Sequence, residues 1–182
     1  MWSTLNAPNA VKLLRTAGSD WRSSHVLDQP YRKHLLVLGD LVLHQHISEL
    51  ICRFQQAFDQ HDWAAMRACL DDEVFVDYSS FRGTEPSRVL ADEYVEQRRR
   101  QLGHLVMQHN HSNLVLSSKS DERASVSCNF QIYRFERDGD RYFHSWGTYE
   151  FGFVRRPAGW KICSILQHLL KNQGDPTIHG AL

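Results

Sequence analysis

The residues best suited to proton chemistry lie far apart in the chain. His109 stands in the run Met107-Gln108-His109-Asn110-His111-Ser112-Asn113, which fits an extended strand. An imidazole titrates near neutrality, so it can take a proton at working pH. Side chains alternate along a strand, which turns Met107, His109, His111 and Asn113 to one side. A mixed apolar and polar row of this kind suits the wall of a ligand pocket. From such a wall His109 can remove an acidic proton next to a carbonyl. A carboxylic acid such as Asp59 can protonate a leaving hydroxyl, and the Tyr78 hydroxyl can hydrogen-bond a developing enolate oxygen. The chemistry implied is elimination, isomerisation or cyclisation through an enol. Plainer roles stand beside these: a buried His109 satisfied by its neighbours, Asp59 as an ordinary helix-end carboxylate, and Tyr78 as core packing. A strand bulge would turn His111 away.

Other chemistries find less support. His109-Asn110-His111 puts two imidazoles on one strand face, but a metal site wants a third ligand at a defined spacing. Residues 112–120 offer none, and His44 and His46 on a helix diverge by about 200°. No metal is expected. The chain has no Gly-rich phosphate loop after a strand and no GxSxG elbow.

The elements that must position these groups change period at Gly103. Before it, Ile47, Leu50, Ile51, Phe54 and Phe58 recur at helical spacing over residues 44–60. Asp62 then N-caps a second helix over 63–70. Residues 74–78, Val-Phe-Val-Asp-Tyr, read as a strand, Phe81-Arg82-Gly83 as a turn, and a third helix runs from Pro86 and Ser87 to Leu102. Gly103 ends it by supplying a left-handed position. Four long strands follow over 105–116, 124–135, 142–155 and 160–170, with Asp138-Gly139-Asp140 as a hairpin turn. Three helices and a mainly antiparallel sheet make an α+β fold with a hollow between them. Phe130, Tyr149, Phe151, Phe153 and Trp160 give that hollow an aromatic wall.

The segments Phe54-Gln55-Gln56-Ala57-Phe58-Asp59-Gln60-His61-Asp62-Trp63 and Val74-Phe75-Val76-Asp77-Tyr78-Ser79-Ser80-Phe81 resemble the SnoaL-like branch of the nuclear transport factor 2-like superfamily. Gln108-His109 with Asn113, and Gly159-Trp160-Lys161-Ile162, extend the likeness over roughly residues 44 to 170. Within the branch, the layout is most similar to the scytalone dehydratase group. The resemblance implies a cone-shaped fold, three N-terminal helices on a strongly curved sheet. It also implies a substrate held in the hollow without metal or organic cofactor. In that group an aspartate and two histidines handle protons while two tyrosines hold a water on the substrate carbonyl. Asp59, His109 and Tyr78 are similar to the aspartate, the first histidine and one tyrosine. This chain departs elsewhere: the other tyrosine is Phe58, the second histidine falls near Tyr133 or Arg134, and later serine and asparagine positions fall near Gly147 and Tyr149. The expected lining is therefore Phe58, Met107, His111, Asn113, Phe130, Tyr133, Tyr149, Phe151 and Trp160.

Two functions are compatible with this reading. One is a cofactor-free dehydratase, isomerase or cyclase acting on a cyclic, aromatic or polyketide-like carbonyl compound. The other is a non-catalytic ligand-binding or oligomerisation module, comparable to the small subunit of a ring-hydroxylating dioxygenase. His144, Trp146, Thr148 and Glu150 would face away from the hollow, where Trp146 fits a homodimer anchor.

Composition narrows the partners. The 182 residues carry 21 basic and 21 acidic side chains, which argues against a nucleic-acid surface. The run Arg98-Arg99-Arg100 reads as the solvated last turn of a helix, where cations suit the carbonyl end. Residues 1–43 read as an N-terminal extension with a short helical possibility at 11–14, residues 44–172 as the domain, and 173–182 as a tail. Four dispersed cysteines read as reduced, buried thiols. The opening residues show no signal-peptide pattern, and no apolar run is long enough for a bilayer. A cytoplasmic protein without membrane contact is the expectation.

Overall fold

The computed structural model describes residues 29–179. The helical possibility at 11–14 and the last three residues lie outside the described residues. Compactness divides the chain into Met1–Val42 and Leu43–Leu182, and helix α1, Gln29–Asp59, crosses that division. In the first unit Val37, Leu38, Leu41 and Val42 are exposed.

In the second unit the helical spacing is realised as read. Ile47, Ile51, Phe54 and Phe58 are buried along one stripe of α1. His61, at φ 56°, turns the chain into α2, Trp63–Cys69. The Asp62 carboxylate accepts the Ala65 N–H at 2.9 Å and caps this helix as expected. Strand β1, Leu70–Asp77, leads to a single helical turn, α3, Ser79–Arg82. Gly83 closes that turn at φ 66°, a left-handed angle that suits glycine. Strand β2, Ser87–Leu90, precedes α4, Ala91–Leu102. Four strands complete the domain: β3, Leu105–Lys119; β4, Arg123–Glu136; β5, Phe143–Arg156; and β6, Gly159–Gly174. A 3-10 turn, Pro176–His179, follows.

The sheet order is β2-β1-β6-β5-β4-β3. The β1–β6 pair is parallel and the other four pairs are antiparallel. The expected cone therefore does not form. The sheet is open and mixed, neither closed nor strongly curved, with β2 and β3 at its edges. Nor are there three helices ahead of the strands: the described residues hold four, interleaved with β1 and β2. Local pattern misleads here for two reasons. Residues 87–90 pair with β1 instead of opening α4, because Ser87–Leu90 finds open backbone groups opposite residues 73–76. The β1–β6 pairing joins residues nearly ninety apart, which no local period can signal.

Buried side chains of β4 and β5 alternate as read, with Val126, Cys128, Phe130 and Ile132 facing Phe54 and its neighbours on the helices. Phe54 meets Tyr94 of α4 at 6.5 Å and Phe151 of β5 at 6.4 Å between ring centroids. Thr148 and Glu150 are exposed on the other side, with His144 and Trp146 half-buried there. Three smaller expectations fail. Gly103 has right-handed helical angles, φ −63° and ψ −15°. Cys52 is exposed. Arg98 is buried, because it follows Tyr94 by four residues and precedes Leu102 by four, on the inward stripe of α4.

The β5–β6 ladder shifts register between Trp146 and Gly147. A Cβ at Gly147 would lie 2.0 Å from the His168 carbonyl oxygen and 2.8 Å from the Phe130 ring. A backbone oxygen cannot step aside as a side chain can. Gly147→Ala should therefore destabilise the domain by about 1–3 kcal/mol, read as a lower urea midpoint. An unchanged midpoint would show that the two strands can part at this point.

Candidate active site

Helix α1 and strand β3 meet through two matched pairs. Gln55 and Asp59 are four residues apart on the helix, about 6 Å of rise. His109 and His111 are two apart on the strand, about 6.6 Å. The spacings agree closely enough for both pairs to close. Asp59 meets His109 and Gln55 meets His111.

The Asp59 contact is the denser one. Its Oδ1 lies 2.7 Å from His109 Nδ1, and both carboxylate oxygens accept the His109 backbone N–H at 3.0 Å. Strand β3 is a sheet edge, so backbone donors on its outer side need partners from outside the sheet. Asp59 supplies one. A carboxylate can only accept, which assigns the proton to Nδ1 and leaves the Nε2 lone pair for other work. Burial holds the His109 pKa below its ordinary value; the Asp59 hydrogen bond and charge oppose that, and the Arg134 charge adds to it. The ring is thus neutral near pH 7. It packs against Phe58, with centroids 4.8 Å apart.

His111 keeps its inward place. Its Nδ1 donates to Gln55 Oε1 at 2.6 Å. The strand bulge falls after it, between Ser112 and Val115. Asn113 absorbs the bulge at φ 55° and is exposed, so it is not a lining residue.

Tyr78 does not join the pair. Its hydroxyl shares a 2.9 Å hydrogen bond with the Tyr94 hydroxyl, and among the described residues no hydrogen bond links it to Asp59 or His109. Rings bridge the interval instead: Tyr94 to Phe54, Phe54 to Phe58, and Phe58 to His109. Tyr149 is buried, with its hydroxyl accepting from Gln167 Nε2 at 3.1 Å. It lies 4.6 Å from the Phe130 ring and 5.0 Å from that of Phe151. Phe130, Phe151 and Met107 are buried in the same core.

Two more expected lining residues, besides Asn113, lie elsewhere. Tyr133 is on the outer face, where its ring meets His144 at 4.9 Å, because strand alternation turns Arg134 inward in its place. Trp160 lines a groove of about 580 Å³ with His46, Arg53 and Lys161. That groove contains none of Asp59, Tyr78 or His109, so its size does not make it the site of proton chemistry.

The sequence reading also missed a set of inward polar groups. Arg98 and Arg134 are buried, as are Gln55, Ser145 and Gln167. Each occupies an inward position of its helix or strand, and that periodicity was the available signal. Among the described residues no group of three His, Cys, Asp or Glu side chains is placed to hold a metal. No described helix is long and apolar enough to cross a membrane.

Residues 40–165 match the SnoaL-like domain family, and the chain belongs to it. No curated protein matches the chain significantly. Among solved structures, the Kfla4162 protein of Kribbella flavida superposes with a TM-score of 0.70 at 20% identity, covering 76% of this chain and 97% of its own. A scytalone dehydratase candidate from Novosphingobium aromaticivorans gives 0.66 at 15%, with 75% and 89% covered. The type 3 hexachlorocyclohexane dehydrochlorinase of Novosphingobium barchaimii gives 0.62 at 14%, with 80% and 98% covered. At these identities the likeness is one of fold.

Proposed function

We propose that the domain catalyses a cofactor-free elimination or isomerisation on a small cyclic or aromatic carbonyl compound, with His109 as the base. The observation that carries this reading is the Asp59–His109 contact. It fixes the tautomer and holds the ring with Nε2 as the basic atom, while burial, against the pull of Asp59, keeps the imidazole neutral. One of the Asp59 contacts reaches the ring, and it is the one that leaves Nε2 unprotonated.

In an elimination, His109 Nε2 takes the proton from the carbon next to the carbonyl, and the C–H electron pair forms the enolate. The enolate then re-forms the carbonyl and expels hydroxide from the next carbon as the new C=C bond closes. The imidazolium returns its proton to the departing hydroxide, releasing water and restoring neutral His109. Asp59 stabilises the imidazolium while it lasts, so its part is to orient and to balance charge. With its oxygens already accepting from His109, it is better placed for that than for protonating the leaving group. Tyr78, hydrogen-bonded to Tyr94 and separated from His109 by the Phe54 and Phe58 rings, would contact the substrate away from the reacting carbon. Among proteins of similar fold, the scytalone dehydratase candidate and the hexachlorocyclohexane dehydrochlorinase both fit an elimination.

Assembly as a homodimer through the outer sheet face belongs to the same proposal. His144 there gathers the rings of Tyr133, Phe135, Tyr142 and Trp146, and Phe135 is 44% exposed. Light scattering should give twice the chain mass, and Trp146→Glu should return the single-chain mass. A monomer at high concentration would remove this part.

The catalytic part has its own test. Against a panel of β-hydroxy ketones on cyclic or aromatic frames, His109→Ala should lower turnover by about two to four orders of magnitude. Tyr78→Phe should cost less, since one hydrogen bond is lost and the ring stays. The base works deprotonated, so kcat/KM should fall on the acid side with a midpoint below the ordinary histidine value. Asp59→Asn removes what opposes burial, so that midpoint should move lower still while the rate drops. Full activity in His109→Ala would end the proposal.

A further inference from the structure

Three arginines meet inside the domain without a carboxylate. Arg98 is 4% exposed and Arg134 5% exposed, while Arg82 is half-buried. They come from α4, β4 and α3. Arg82 and Arg98 both donate to one oxygen, Gln101 Oε1, at 2.9 and 3.3 Å. Arg98 lies 4.9 Å from the Tyr78 ring and 4.5 Å from the Tyr94 ring. Arg82 and Arg134 share the Phe81 ring, each 5.8 Å from its centroid. Arg134 Nη1 donates to Ser145 Oγ at 2.9 Å, but its buried Nε has no partner.

The contrast with the surface is sharp. Arg67 pairs with Asp72 and Asp92, Arg141 with Glu136 and Asp175, and Arg156 with Asp71. Among the described residues the interior three have only amide and hydroxyl oxygens as acceptors. Buried cations without counter-charge are costly, and several together compound the cost. Burial and then the Arg98 charge press the Arg82 pKa down to about 10. Burial also brings Arg134 to about 10, against the pull of Tyr149 and with the Arg82 and Arg98 charges adding to it. Burial opposes the charge on Arg98 too, but Tyr94 and then Tyr78 outweigh it and raise its pKa, so all three stay charged near pH 7, with Arg82 and Arg134 pressed by their neighbours' charge. A bound anion would relieve both penalties.

There is room for one at the edge of the cluster. A cavity of about 100 Å³ is lined by Phe81, Arg82, Phe143, Asn172, Pro176 and His179. Its two rings are those that Arg134 faces, at 5.8 and 5.9 Å. His179 adds a buried Nε2 without a partner. Burial first, and the Arg134 charge next, hold this histidine down to about 4, so it is neutral near pH 7 and adds no charge of its own. Aromatic walls with a planar guanidinium fork suit a carboxylate on a flat ring better than a bulky tetrahedral anion.

We propose that Arg82, Arg98 and Arg134 form an anion subsite that selects substrates carrying a carboxylate on a cyclic or aromatic frame. This rests on the reading of His109 as the base, and it names the substrate class for that site. Register supports the connection. His109 pairs with Ile132, and Arg134 is two residues further along the same inward face, close enough for its charge to act on the His109 ring. A carboxylate held there would anchor the substrate away from the base.

The test uses benzoate, benzamide and inorganic phosphate as probes in titration calorimetry on the full chain. Benzoate should bind at least tenfold more tightly than benzamide, which has the same shape without charge, and more tightly than phosphate. Arg134→Gln should lose at least tenfold in benzoate affinity. Arg82→Gln, at a half-buried position less critical for folding, should show the same direction, with circular dichroism confirming that both variants fold. Equal affinity for benzoate and benzamide, no benzoate binding, or tighter binding of phosphate would each overturn the assignment. Binding needs no turnover, so a failure here is separate from a failure of the His109 variants in activity assays.

Discussion

One carboxylate ties the last turn of α1 to the sheet edge. Asp59 ends its helix, where the carbonyl dipoles disfavour a negative charge by about 0.3–1 kcal/mol. It remains there because His109 offers a ring N–H and a backbone N–H together. The same contact closes an open backbone donor on β3, fixes the imidazole tautomer, and sets the height at which α1 crosses the strand. Gln55 and His111 repeat the pattern one helical turn away. The proposed chemistry, the packing of Phe58 on the imidazole, and the register of helix against strand all depend on this contact.

The interior that surrounds it mixes polar groups with aromatic rings. Tyr78, Tyr94 and Tyr149 bring three hydroxyls inward, and Arg98 and Arg134 bring charge. A domain selected only for stability would fill these positions with apolar side chains, since buried polar groups gain little and cost much when unpartnered. Among these groups the tyrosine hydroxyls and Arg98 have protein partners, and the buried Arg134 Nε has none. Under the proposed function, His109 would carry proton transfer and the arginines substrate recognition.

Much of this was readable from residue order, and the misses have physical causes. The stripe Ile47, Ile51, Phe54, Phe58 and the alternation through Phe130 located the core, and Asp59 and His109 emerged as a pair through the family resemblance. Asp62 was a legible cap. The edge strand at 87–90 was hidden because four residues opening a helical stretch carry no strand period, and the parallel β1–β6 pair was hidden by its sequence separation. Arg98 was misread because a run of three arginines looks solvated, although only its first member falls on the inward stripe with Tyr94 and Leu102. Tyr133 was expected to line the hollow, but strand alternation turns Arg134 inward and Tyr133 to the outer face. Asn113 lost its inward place to a bulge that begins one residue after His111's neighbour Ser112.

The most direct measurement is nitrogen-15 NMR of the His109 side chain between pH 5 and 8. A neutral ring near pH 7 with its proton on Nδ1, a midpoint below the ordinary histidine value, and loss of the Nδ1–H preference in Asp59→Asn are the expected results. A ring protonated on Nε2, or one that stays charged above pH 7, would contradict the assignment of His109 as a base held by Asp59.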